Sequence, residues 1–333
     1  MRLSAIAVLL AASLTAFTLS GKPIKSQEPQ EISFSRETWN DEEEHKKRVI
    51  DPVENKDAFS AVVYNNQNGL PTSEANDIVE TKDGFIWIGS YSGLIRYDGN
   101  TFERMDSTTG IGNVGCLYVD RKDRLWIGAN DSGIALIDKN DVIRWKEEDG
   151  LRSLNISKIT QDKNGNIYAG TAAGLYVFDE DLNLTSVEDP RIRNLYIDSL
   201  LTGTDGAVYG ISNEGAIFTV RNGEVTSFYE TADYGFKGVI NVYPDPENMG
   251  KMYFGTQDSM IYHVQKDESL TVTDAWDISP LSGVMGIKQI DGRLWILGRN
   301  GIGMLRNNVF TYLGDLPLNN SITAVMDDHE GNL

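Results

Sequence analysis

Asp83-Gly84-Phe85-Ile86-Trp87-Ile88-Gly89 returns, altered but recognisable, as Asp123-Arg124-Leu125-Trp126-Ile127-Gly128. It comes back as Asn164-Gly165-Asn166-Ile167-Tyr168-Ala169-Gly170, Asp205-Gly206-Ala207-Val208-Tyr209, Gly250-Lys251-Met252-Tyr253-Phe254-Gly255 and Asp291-Gly292-Arg293-Leu294-Trp295-Ile296. The aromatic anchors Trp87, Trp126, Tyr168, Tyr209, Tyr253 and Trp295 stand 39, 42, 41, 44 and 42 residues apart. A steady period of this length marks a repeat architecture in which each unit is one supersecondary element. Glycine follows most anchors six positions on (Gly93, Gly174, Gly215, Gly301), with Gly133 at seven and Ser259 in the fifth unit.

Inside a unit the pattern is four short strands. In the first, Ala75–Glu80, Phe85–Ser90, Leu94–Tyr97 and Thr101–Met105 are separated by Lys82-Asp83-Gly84, Tyr91-Ser92-Gly93 and Asp98-Gly99-Asn100. Asp-Gly pairs between alternating apolar runs signal hairpins, because glycine accepts the positive φ of tight turns. The second unit repeats the pattern with Cys116–Val119, Leu125–Ala129, Ile134–Asp138 and Val142–Lys146. No stretch carries a sustained 3.6-residue period. Repeated four-stranded antiparallel units predict an all-β β-propeller, whose sheets bury their faces only by stacking on one another. The anchors are then structural, large side chains between neighbouring blades. A seventh unit opens at Ile322-Thr323-Ala324-Val325-Met326 and stops before its aromatic, so the expectation is seven blades with the seventh truncated. Phe59–Tyr64 reads as an extra strand that completes the last blade and closes the ring.

Ahead of the propeller, predicted over 59–333, Met1-Arg2 precedes an apolar run, Leu3–Leu19, that reads as a secretory signal or an uncleaved signal anchor over 1–20. Residues 21–58 are polar, with the charge run Asp41-Glu42-Glu43-Glu44-His45-Lys46-Lys47-Arg48, and read as a solvated tether. The net charge of -19, from 49 acidic and 30 basic residues, excludes nucleic acid as a partner. One cysteine and three histidines leave no internal disulfide framework and little material for a metal centre.

The run Asn68-Gly69-Leu70-Pro71, Ile78, and Asp83 through Ser90-Tyr91-Ser92-Gly93-Leu94-Ile95-Arg96-Tyr97-Asp98-Gly99 resembles the two-component regulator propeller repeat. That signature combines a GLP turn, a DG-x-x-WIG-T strand and a GL-x-RYDG hairpin, with Ser90 here in place of the Thr. The resemblance fades in the fourth and fifth units, where Ile211 replaces the glycine after the anchor and Met260 the following Leu. It implies an extracytoplasmic ligand-sensing domain of a membrane-bound bacterial signalling protein, whose output would be a histidine kinase or a diguanylate cyclase. The implied ligand is a small molecule or saccharide, bound on the loop face or at a homodimer contact. A secreted polysaccharide or lactone lyase, and a protein-binding scaffold, are the other readings.

Searches for reaction chemistry return little. Gly110-Ile111-Gly112-Asn113-Val114-Gly115 matches G-x-G-x-x-G but precedes a strand, where the fingerprint must open a helix. Asp162-Lys163-Asn164-Gly165-Asn166 lacks the twelve-residue loop of a calcium site, so the aspartates before the anchors read as turn residues. Cys116 falls in a buried strand with no basic neighbour in the sequence. No catalytic residue, cofactor or metal ligand is predicted, and no ligand-binding residue is singled out.

Overall fold

The computed structural model describes residues 6–9, 61–72, 74–105, 110–139, 141–290, 292–313 and 321–333. The tether at 21–58 lies outside them, as does the export segment apart from Ile6–Leu9. No helix among the described residues is long and apolar enough to cross a membrane.

Six four-stranded antiparallel sheets form in sequence order. Blade 1 is Asp77–Glu80, Ile86–Ser90, Gly93–Tyr97 and Phe102–Arg104, and blade 2 is Val114–Val119, Leu125–Ala129, Ile134–Asp138 and Asp141–Trp145. Blade 3 is Ile156–Gln161, Ile167–Thr171, Gly174–Phe178 and Leu184–Ser186, and blade 4 is Ile197–Thr202, Val208–Ser212, Ala216–Arg221 and Glu224–Glu230. Blade 5 is Val239–Pro244, Lys251–Thr256, Met260–Lys266 and Leu270–Asp277, and blade 6 is Val284–Ile290, Arg293–Gly298, Gly301–Arg306 and Val309–Tyr312. The first strands of successive blades lie against one another from blade 1 to blade 6, so they form the inner wall of the ring.

The expected seventh blade is not there. Residues 321–333 run between blades 6 and 1 without entering a strand ladder. Their bonds go sideways instead: the Ile322 amide donates to the Gly298 carbonyl (3.0 Å), Thr323 Oγ1 to the Ala75 carbonyl (2.9 Å) and the His329 amide to Glu80 Oε2 (2.8 Å). A blade needs neighbouring strands in register, and one extended segment supplies none. The closing strand predicted at Phe59–Tyr64 also fails to join blade 6. Ala61–Tyr64 pairs in parallel with the backbone of Ile6–Leu9, while the Tyr64 ring packs on Tyr97 and Phe102 of blade 1 at 5.8 and 5.0 Å.

The core is divided among the seams. One apolar cluster joins blades 1 and 2, another 2 and 3, and so on to 5 and 6, and Ile322, Val325 and Leu333 pack with Val63 against blade 6. At the seam of blades 2 and 3, Trp126 is wholly buried, stacked on Trp145 at 5.6 Å and against Phe178 at 5.0 Å. Trp87, Tyr168, Tyr209 and Trp295 are buried too; Tyr253 is half-buried.

The turn aspartates have a second task that local sequence does not show. Asp120 Oδ1 accepts the amides of Lys122 (2.9 Å) and Arg124 (3.0 Å), fixing the turn, while Oδ2 accepts Trp126 Nε1 at 2.9 Å. Asp162 and Asp205 likewise hold their turns and bond the hydroxyls of Tyr168 (3.4 Å) and Tyr209 (3.0 Å). A polar group buried with an aromatic anchor needs such a partner. In blade 1, Thr81 Oγ1 accepts Trp87 Nε1 instead, at 3.0 Å. In blade 5, Asp245 bonds His263 Nε2 at 2.8 Å, and the imidazole stacks on Tyr253 with centroids 4.5 Å apart.

The WIG glycines lie within the second strands, where a side chain would be expected. A Cβ on Gly89, Gly128, Gly170 or Gly255 would meet the first-strand side chain of the next blade, Val114, Ile156, Ile197 or Val284 respectively. They are packing glycines, absent where Ile211 and Leu297 occupy the same register in blades 4 and 6.

Candidate functional site

The inner strands share one irregularity. In blades 2 to 6 the pairing of the first two strands skips a residue, between Val114 and Cys116, Ile156 and Lys158, Ile197 and Ser199, Val239 and Asn241, and Val284 and Gly286. A bulge re-aims the side chains around it. Here it recurs at one level of the ring, beside Lys158 in blade 3 and at Asp198 in blade 4.

At that level Lys158 of blade 3 reaches Asp77 of blade 1, Nζ to Oδ2 being 2.9 Å. Blade 2 stands between them, and its Leu117 amide donates to the same oxygen at 3.1 Å. Side chains from blades that do not touch meet only in the central bore. Asp77 is nearly buried, whereas Lys158 keeps part of its stem and head in the bore solvent. The Asp77 carboxylate holds the Lys158 ammonium above the ordinary lysine range, against the opposing effect of burial. Lys288 of blade 6, two residues further along its strand than the position equivalent to Lys158, donates Nζ to the Val325 carbonyl at 2.7 Å and feels the charges of Asp77, Asp327 and Lys158. Crowding by protein pulls its pKa down, although the residue remains exposed to solvent.

Cys116 lies beside this group. Burial pushes its thiol up to about 12, and Lys158 only partly offsets that. The sequence places no cation near Cys116; the fold brings one from forty-two residues away, yet desolvation still wins. Asp198, the bulge residue of blade 4, also has its pKa raised by burial.

The anchors Trp87, Trp126, Tyr168, Tyr209, Tyr253 and Trp295 are spread over six blades and do not converge. Residues 110–115 form the passage from blade 1 to blade 2, running from loop into strand and opening no helix. Among the described residues no three His, Cys, Asp or Glu side chains are grouped to hold a metal ion. Asp77, Lys158 and Lys288 had no local signal, because the period identifies equivalent positions and these three are not equivalent side chains.

These features define a β-propeller with a charged bore. Residues 69–92 match the family model described as two component regulator propeller. Solved structures share the fold: a streptogramin B lyase is 17% identical with a TM-score of 0.62, over 77% of this chain and 88% of that one. The extracellular domain of the putative hybrid two component system BT3049 from B. thetaiotaomicron is 20% identical with a TM-score of 0.61, over 80% of this chain and 38% of that domain. That of the putative one component system BT4673 from the same organism is 16% identical with a TM-score of 0.61, over 77% and 37%. At these identities the likeness establishes fold alone. No curated protein sequence matches the chain.

Proposed function

We propose that the chain is the extracytoplasmic ligand-sensing propeller of a bacterial signal-transduction protein. The regulator-propeller repeat at 69–92 carries this reading. Two of the proteins that share its fold are extracellular domains of putative two-component or one-component systems, and the Leu3–Leu19 run has the composition of an export signal. The ligand is a small molecule or saccharide, and the output is a histidine kinase or diguanylate cyclase across a membrane. A ring of rigid sheets suits such a part, because the bore and loop faces are held in place before any ligand arrives.

The test has two arms. Alkaline phosphatase, fused after Leu333 and produced in a bacterium, is expected to be active, and to lose activity when Leu3–Leu19 is deleted. An inactive fusion overturns the extracytoplasmic placement. Thermal unfolding across a saccharide and metabolite panel then tests sensing, since a ligand at a hundred times its Kd adds about 2.7 kcal/mol.

A further inference from the structure

The seams between blades share one cage for an aromatic ring. At the seam of blades 2 and 3, Trp126 sits among Ile159, Ile167 and Phe178, with Leu184 packed at the edge. Strand register fixes this quartet: Ile167 pairs with Phe178 and Phe178 with Leu184, while Ile159 follows Lys158, which lies opposite Gly170. In blade 1 the same register positions are Ile86, Tyr97 and Phe102, with Ile78 following Asp77 opposite Gly89. Ile159, Ile167 and Phe178 are buried, whereas Ile78, Ile86 and Phe102 are half-exposed. The blade 1 quartet lines an open cleft whose other wall is the strap of residues 321–333. Tyr64 lies over Tyr97 and Phe102 only.

The strap carries the polar half of the same cage. Asp328 Oδ1 accepts the amides of Glu330 (3.0 Å) and Asn332 (2.7 Å), and Oδ2 accepts Asn332 Nδ2 at 2.7 Å. Asp162 makes these three bonds to Asn164 and Asn166, then takes a fourth from the Tyr168 hydroxyl. Among the described residues no aromatic donor reaches Asp328. Asn332 Oδ1 lines the cleft, buried and without a hydrogen-bond partner, a state that buried polar atoms avoid. Residues 323–327 enter no ladder, whereas the equivalent strand of blade 2 pairs Tyr118 with Trp126 itself.

We infer that this cleft docks an extended segment of a partner protein through one tryptophan or tyrosine side chain. Those two side chains combine a ring for the apolar quartet with an edge donor for Asp328. Main-chain pairing with 323–327 is strand addition, in which backbone bonds supply affinity and the seated side chain supplies specificity. The residue carrying the ring would lie opposite Met326, as Trp126 lies opposite Tyr118. Docking here is independent of whether the bore binds a ligand.

The probe is a fluorescein-labelled peptide with the sequence of Arg124–Asn130, titrated into the whole chain and followed by anisotropy. Binding should saturate. Replacing the peptide's Trp by Ala should weaken it at least about thirtyfold. Replacement by Phe, which keeps a ring and loses the donor, should weaken it about fivefold. The amides of 323–327 should gain protection from hydrogen exchange in the complex, and Ile86→Glu should abolish binding. Should Ile86→Glu fail to fold, exchange on the unmutated chain decides, and unchanged protection rejects the site. No saturable binding, or equal affinity of the Ala peptide, would likewise overturn it. Free indole binding as tightly as the peptide would make the cleft a small-molecule site. Protection of the same amides by dimerisation of the chain alone would assign it to a second copy. Either result overturns the partner segment.

Discussion

Trp126 shows how one side chain can hold two blades. Its ring fills the seam against Trp145 and Phe178, and its Nε1 ends on Asp120, which also pairs with Arg124 Nη2 at 2.7 Å. Trp126→Ala should therefore destabilise by about 3–5 kcal/mol, as cavity-forming aromatic deletions do, read as a lower urea midpoint with an unchanged slope. An unshifted midpoint would remove the anchor role. Trp126→Phe keeps most of the packing and loses the bond to Asp120, so its cost should be about 1–2 kcal/mol. Ser259 points the other way. It occupies the register of Gly93, Gly174, Gly215 and Gly301 and shares their left-handed backbone, with φ at 64°. A side chain costs roughly 1–2 kcal/mol in that conformation, so Ser259→Gly should stabilise the protein by about 1 kcal/mol. A destabilised variant would mean that the Ser259 side chain contributes something the backbone argument omits. The glycine-to-serine departure was visible in the sequence; its φ was only implied by the period.

At the scale of the element, the strands and their turns were legible, because each hairpin carries its own local signal. Leu125–Ala129 and Ile134–Asp138 fall where the pattern puts them. The aromatic half of what binds one blade to the next was legible in the anchors, and the glycine half was not. The glycine of each WIG segment reads as one more strand residue, yet Gly128 leaves room for the neighbouring blade. A Cβ there would lie 2.5 Å from Cys116 Sγ and 2.7 Å from Ile156 Cγ2. Gly128→Ala should cost about 1–3 kcal/mol by overpacking the seam. Gly112→Ala, in the passage between blades 1 and 2 with open space around it, should be near neutral. Paired thermal melts of the two variants test this, and equal losses would refute the packing role. The bulges were hidden for a related reason: an extra residue in a strand changes pairing without changing composition. They place Lys158 and Asp198 in the bore wall, so the candidate site depends on the feature that sequence conceals most completely.

For the whole molecule the question is what joins blade 6 to blade 1. The sequence suggested a seventh blade because the apolar rhythm continues through Ile322–Met326, but a rhythm predicts a strand and not its partners. In the structure the segment 321–333 acts as a strap. Lys288 and Gly298 hold it on the blade 6 side, and Ala75 and Glu80 on the blade 1 side. Glu80 takes both the amide and the imidazole Nδ1 of His329, and this bond, followed by the charge of the carboxylate, raises the histidine pKa above its ordinary 6.5. A histidine with a raised folded-state pKa binds its proton more tightly when docked than when free. Its contribution is therefore complete below about pH 6.5 and is lost as pH rises through the docked value. The strap should loosen on the alkaline side of neutrality while the inner blades do not. Hydrogen exchange of the amides between 322 and 332, corrected for the intrinsic pH dependence of exchange, should show protection falling from pH 6 to pH 8. Glu80→Gln should flatten that profile, since it removes the charge that raises the histidine. Protection that stays constant across this range in the unmutated protein would show that the strap is held by Ile322, Thr323 and Val325 alone.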